Sequence, residues 1–232
     1  MTDELIGYVH SFEPLGSFDG PGLRTVVFLS GCPMRCKYCH NPDMFGAAGG
    51  EKMTVGEVVD KCLRYRAYNR GGGVTLSGGE PLMQERFAAE LLREFKKRRI
   101  HTALDTAGSV YSEEALSLAS LVILDIKHTD EAAFKELCCF SSDNMLRTLE
   151  YLKKKRKRFW VRQVIVPGIT DGEDNIKKLK AMAKGAEKIE LLPYHTMGVY
   201  KWEKLGLSYP LANVSEPSAE TMQRLNALLN DR

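Results

Sequence analysis

Short runs rich in β-branched and apolar residues alternate with longer segments of helical period along nearly the whole chain, the pattern of repeated β-α units around a parallel sheet. The strand candidates are Thr25–Leu29, Val74–Ser77, Thr102–Asp105, Leu121–Lys127, Phe159–Val166 and Lys188–Leu192. Helix candidates lie over Val55–Tyr68, Gln84–Arg99, Glu113–Leu118, Asn144–Lys155 and Asn175–Lys184, with a terminal one over Ala219–Leu229. A full barrel of this kind has eight strand–helix units. The six strands here therefore predict an α/β fold, an incomplete (β/α)6 TIM-type barrel whose open side admits something large. No linker-like or low-complexity stretch divides it, so residues 1–232 are expected to form a single domain.

Composition narrows the function classes. Hydrophobic residues at 44% and charged residues at 27% suit a soluble globular chain, and no segment approaches the roughly 20 apolar residues of a membrane span. The first residues, Met1-Thr-Asp-Glu-Leu5, lack a basic region leading into an apolar run, so the expected location is cytoplasmic and no membrane partner is expected. A net charge of +3 is too small to imply a nucleic-acid partner. The basic run Lys153 to Arg158 follows an apolar-periodic stretch and reads as a solvated helix end favoured by the macrodipole.

Three of the six cysteines, Cys32, Cys36 and Cys39, fall within eight positions, a spacing that lets three thiolates from one loop face one metal centre. An iron–sulfur cluster held for electron transfer usually has four cysteine ligands, so three leave one iron open for chemistry. The competing arrangement is a zinc site in which His40 completes a tetrahedron with the three cysteines, making the chain a non-enzymatic zinc-binding interaction module. Cys62, Cys138 and Cys139 have no partners at ligand spacing and read as ordinary thiols.

In a parallel barrel the functional groups belong at the C-terminal strand ends. The cysteine loop follows the first strand, Ser77-Gly78-Gly79-Glu80-Pro81 the second, Asp105-Thr106 the third, and Asp125 and Lys127 the fourth, so all are expected to converge on one rim. Glycines at 78 and 79 allow close backbone approach to a ligand, and Glu80 can hold an ammonium group; a plain tight turn is the alternative. Period-2 alternation puts Leu121, Ile123, Asp125 and Lys127 on one face and Val122, Leu124 and Ile126 on the other. Asp125 and Lys127 then form either a structural pair or contacts to a polar ligand. Asp105, Thr106 and Asp125 offer hard oxygen ligands for a cation, or the two carboxylates meet Lys127.

The string Asp19-Gly-Pro-Gly-Leu-Arg24, the C-x3-C-x2-C loop with Tyr38 before its third cysteine, and His40-Asn-Pro42 together resemble the radical S-adenosylmethionine (SAM) superfamily. Within it they resemble the activating enzymes of glycyl radical enzymes, of the pyruvate formate-lyase type. Similarity continues through Ser77–Pro81, Leu104–Thr106, Leu124–Lys127, Val164–Gly168 and Leu191–His195, and so covers nearly the whole chain. The resemblance implies a radical SAM oxidoreductase of anaerobic metabolism, its 4Fe-4S cluster on Cys32, Cys36 and Cys39 and its SAM at the C-terminal strand ends. Cys32, Cys36, Cys39, Lys127 and His195 are then the catalytic set. Tyr38, Cys39, His40, Gly78, Gly79, Glu80, Asp105, Asp125, Ile126, Lys127, Arg162 and His195 would bind the cofactor. Asp105, Thr106 and Asp125 would hold a monovalent cation, K or Na. Reductive cleavage of SAM would give a 5′-deoxyadenosyl radical that takes hydrogen from a glycine of pyruvate formate-lyase or another glycyl radical enzyme. Flavodoxin or ferredoxin would be the electron donor, and Asp19 would contact the glycine loop. Cys138–Asn144 and Ala107 depart from the family pattern.

Overall fold

The computed structural model describes residues 5–47, 49–69 and 71–231. Eight strands form one sheet: β1 (Ile6–Gly16), β2 (Arg24–Leu29), β3 (Glu51–Thr54), β4 (Gly73–Gly78), β5 (Thr102–Thr106), β6 (Leu121–Asp125), β7 (Phe159–Ile165) and β8 (Lys188–Pro193). Their order is β3-β1-β2-β4-β5-β6-β7-β8. The six expected strands are all present and pair in parallel from β2 to β8. The sequence pattern did not reveal β1 and β3, which add an antiparallel extension at one edge. Two register shifts in β1 break the alternation that would have marked it as a strand.

The helices are α1 (Val55–Arg64), α2 (Glu85–Lys97), α3 (Glu113–Leu118), α4 (Glu131–Cys138), α5 (Asp143–Lys154), α6 (Glu173–Met182), α7 (Val199–Lys204) and α8 (Ala219–Asn230). α1 ends four residues before the expected Tyr68, in a turn closed by Tyr65 N–H donating to the Cys62 carbonyl. Lys153 and Lys154 lie in the last turn of α5, so the basic run begins as the helix end that its sequence suggested. α4 and α7 were not anticipated. For α4 a signal existed: Asp130 caps Ala133 N–H at 3.0 Å, and Phe134, Leu137 and Cys138 repeat at helical spacing on a buried face.

β2, β4 and β6 are buried on both faces, which explains their nearly continuous apolar sequences, whereas β8 at the sheet edge is largely half-buried or exposed. Val122, Leu124 and Ile126 join Leu104 and Val161 in the large core between sheet and helices. Leu121 and Ile123 make a smaller cluster with Ala103 against Trp160 on the opposite, inner face. Asp125 and Lys127 continue that inner face, as alternation predicts. The sheet curls: the Phe18 carbonyl, between β1 and β2, accepts from the Arg162 guanidinium on β7, four strands away. It stays open between β3 and β8, an incomplete barrel. Among the described residues no helix is long and apolar enough to cross a membrane.

Candidate active site

The cysteine loop leaves β2 and is pinned from two sides by the two unanticipated helices. The carbonyls at the end of α4 accept from the loop, Cys138 from Arg35 N–H at 2.8 Å and Leu137 from Lys37 N–H at 2.9 Å. They are unpaired last-turn carbonyls of a helix, so the loop serves as its C-terminal cap. On the other side the Trp202 indole N–H of α7 donates to the Cys39 carbonyl at 2.8 Å, and Lys201 donates to Asn41 at 2.8 Å and to Asp43. The fit beneath is tight at Gly79, where a Cβ would stand 2.4 Å from the Gly31 carbonyl oxygen.

The three thiols line one cavity of about 320 Å³ at the C-terminal strand ends, and Cys62, Cys138 and Cys139 do not line it. Burial pushes the Cys32 thiol up to about 12 and the Cys39 thiol up to about 11. A hydrogen bond with the Cys138 thiol, followed by burial, raises Cys36 well above the ordinary thiol range. In the bare chain all three are neutral, so a metal centre there must displace their protons. His40 does not complete a tetrahedron with them. Its ring stacks on His195 with centroids 3.8 Å apart, and its Nε2 meets the His195 carbonyl at 2.9 Å. Among the described residues no three His, Cys, Asp or Glu side chains stand at the spacing that one metal ion requires. A four-iron cluster takes each thiolate at a different corner, so its ligands need not crowd around a single ion.

Tyr38, His40, Gly78, Gly79, Asp105, Thr106, Asp125, Lys127 and His195 share this lining, together with Asp19. Lys127 Nζ lies 2.5 Å from Asp125 Oδ2 and 5.5 Å from the Tyr38 ring centre. Burial is the largest single influence on Lys127 and opposes its charge, but Asp125, Tyr38 and Cys36 together outweigh it and hold the ammonium well above its ordinary range. Asp105 accepts from the Ser77 hydroxyl at 2.9 Å, and burial raises it against the pull of Arg162. Among the described residues six buried side-chain atoms lack a hydrogen-bond partner, and three of them, Tyr38 Oη, Asp125 Oδ1 and His195 Nδ1, belong to this cavity. Buried polar atoms rarely go unpaired, so this concentration fits a polar ligand with several hydrogen-bonding groups.

Four expected site residues are placed differently. Glu80 is fully buried outside the lining, where its carboxylate accepts from Leu82 N–H, the Thr106 hydroxyl, Ala107 N–H and the Ser109 hydroxyl at 2.7–3.2 Å. It anchors two loops, while Gly78 and Gly79 line the cavity. Thr106 contributes to the lining, but its hydroxyl is spent on Glu80, not turned toward Asp105 and Asp125. The reason is the pleat: neighbours 105 and 106 point to opposite faces of β5. Ile126 has its side chain in the helix-side core, and its N–H and C=O are bonded to the Arg162 carbonyl and the Gln163 amide. Arg162 stands below the cavity, donating to Glu190 at 2.7 Å and to the Phe18 carbonyl, and acts on Asp105, Asp125 and Asp19 through its charge.

Residues 18–144 match the family model of a 4Fe-4S single cluster domain. The chain is 44% identical to the pyruvate formate-lyase-activating enzyme of Clostridium pasteurianum, with 98% of each chain covered. It is 40% identical to the pyruvate formate-lyase 1-activating enzyme of Escherichia coli, covering 97% of this chain and 96% of that one. Among solved structures, a domain of a pyruvate-formate lyase-activating enzyme from Bacteroides vulgatus superposes with a TM-score of 0.57 at 25% identity, covering 69% of this chain and 94% of the other. Streptococcus suis SuiB bound to S-adenosylmethionine gives a TM-score of 0.67 at 17% identity, covering 89% of this chain and 46% of that one, a likeness of fold. With the cysteine loop, the cavity behind it and nearly full-length similarity all in agreement, this chain belongs to the pyruvate formate-lyase activating enzyme family of radical SAM enzymes.

Proposed function

We propose that this chain installs a glycyl radical in pyruvate formate-lyase, using a 4Fe-4S cluster on Cys32, Cys36 and Cys39 and SAM bound beside it. The observation that carries this reading is the single cavity in which three thiols, and no fourth, adjoin three unpartnered buried polar atoms. When bound, the cluster and SAM supply a one-electron cleavage of the sulfonium, and with it the hydrogen abstraction from glycine.

The chain's own residues bind, orient and exclude water. Backbone groups at Gly78 and Gly79 receive the ammonium of the methionine moiety. Lys127 and Asp125, already paired, re-partner toward its carboxylate and the ribose hydroxyls. His195 Nδ1 and the Tyr38–His40 segment take the nucleoside end. Asp105 and Asp125 hold a monovalent cation, K or Na, without the Thr106 hydroxyl, which is committed to Glu80. Asp19, in the loop that closes the inner face, contacts the incoming glycine segment, and a flavodoxin or ferredoxin delivers the electron.

The test is one anaerobic assay of the reconstituted chain with dithionite, SAM and pyruvate formate-lyase. Stoichiometric 5′-deoxyadenosine together with a glycyl doublet in electron paramagnetic resonance is expected; SAM cleavage without the doublet would assign another substrate, and absence of both would end the proposal. Asp105→Ala is expected to weaken SAM binding about tenfold and to abolish any dependence on added K or Na, measured by equilibrium binding with each salt.

A further inference from the structure

A second cavity, of about 180 Å³, opens at the N-terminal ends of β4 and β5, on the opposite side of the barrel from the cysteine loop. Cys62 of α1, Arg66 and Asn69 beyond it, Gly72 to Val74 entering β4, and Arg99 to His101 entering β5 form its wall. No carboxylate contributes to it. Arg66 and Arg99 are exposed, and among the described residues neither stands within ion-pair distance of an acid. Cys62 is buried and burial pushes its thiol up to about 12, so it adds no negative charge.

The chemistry of this wall is set by His101. The buried Arg24 guanidinium places Nη2 3.3 Å from His101 Nδ1. Arginine has no acceptor, so Nδ1 must accept and a neutral ring carries its proton on Nε2. Burial, followed by the charges of Arg24 and Arg158, lowers the His101 pKa and keeps the ring neutral; Glu187, the one acid acting on it, is bonded to Arg158 at 2.6 Å. His101 Nε2 is therefore an N–H donor, buried and without a partner. An unpaired buried donor on a residue that shares its cavity with two arginines, and with no acid, complements an anion's oxygen atoms.

We propose that this cavity is an oxyanion site that takes phosphate, free or as a phosphate monoester, between Arg66, Arg99 and His101. The three donors sit on three different side chains from two segments, Arg66 beyond α1 and Arg99 with His101 ahead of β5, and separate donors suit a tetrahedral oxyanion better than a planar carboxylate, which a single guanidinium can bind through both oxygens. Nothing in the proposed radical chemistry uses these residues.

The test is isothermal titration of the cluster-loaded chain with sodium phosphate at fixed ionic strength. Saturable binding is expected, weakened about tenfold by Arg66→Ala and by Arg99→Ala and largely restored by Arg99→Lys, with the visible absorbance of the cluster unchanged in all three. Both arginines are exposed, so their removal leaves the fold intact. Ribose 5-phosphate in place of phosphate separates the two sources: tighter binding assigns the site to a phosphorylated metabolite, and equal or weaker binding assigns it to the free ion. Heat that does not saturate, that chloride reproduces, or that persists in both alanine variants would overturn the proposal.

Discussion

At the scale of single residues, the pleat decides more than the sequence motif does. Asp105 and Thr106 are adjacent and both line the cavity, yet the Asp105 carboxylate meets Ser77 while the Thr106 hydroxyl turns away to Glu80, because successive side chains alternate across a strand. The same rule, followed along β6, puts Asp125 and Lys127 on one face, where they meet at 2.5 Å, and turns the Ile126 side chain into the core on the other. Glu80 shows how a motif acid can serve the frame. Its four accepted hydrogen bonds favour the carboxylate, but complete burial wins and raises its pKa above the ordinary 4.5. A carboxyl raised in the folded state contributes stability that is fully present below 4.5 and is lost as pH rises through its folded value. Glu80→Gln is expected to flatten that part of the pH profile and to cost about 2 kcal/mol at neutral pH, since an amide cannot accept all four donors. Urea unfolding of both proteins from pH 4 to pH 8, on the order of five points, would check slope and offset together.

At the scale of elements, the short helices matter out of proportion to their length. α7 has six residues, but it brings Trp202 to the Cys39 carbonyl and Lys201 to Asn41 and Asp43. α4 is capped by the cysteine loop itself. Neither helix could hold a stable conformation alone at such a length; each gains its order from the loop it supports. Trp202→Phe keeps an aromatic ring at this buried position but loses the indole's pyrrole half and its N–H. It is expected to cost about 1 kcal/mol of stability and to speed loss of the cluster to a chelator severalfold, read as decay of the visible absorbance. An unchanged decay would separate the loop's stability from α7.

At the scale of the whole molecule, Arg162 is the tie across the curled sheet. It joins the 17–23 loop to β7 and β8 and supplies the positive charge between Asp19, Asp105 and Asp125. Arg162→Ala is expected to destabilise the chain by about 3 kcal/mol at neutral pH, because buried carboxylates lose their counter-charge. Burial already raises Asp19 and Asp105 while Arg162 restrains them, so its removal should make stability fall more steeply as pH rises above the ordinary carboxylate range. Thermal unfolding of the variant at pH 5 and pH 8, about the two ends of that range, would show the difference. Apolar periodicity placed six parallel strands and six of the helices, the spacing of the three cysteines marked a metal-binding loop, and strand alternation put Asp125 and Lys127 on one face, while the family resemblance was needed to draw the glycine pair into the site. Periodicity, spacing and alternation are local properties, readable over a few residues. What only the tertiary structure decided is contact across long separations: Trp202 against Cys39, Arg162 against Phe18, Arg24 against His101, and Thr106 turned toward Glu80. A side chain's partner depends on how far the sheet curls and which elements it draws together, and no periodicity within one segment carries that information.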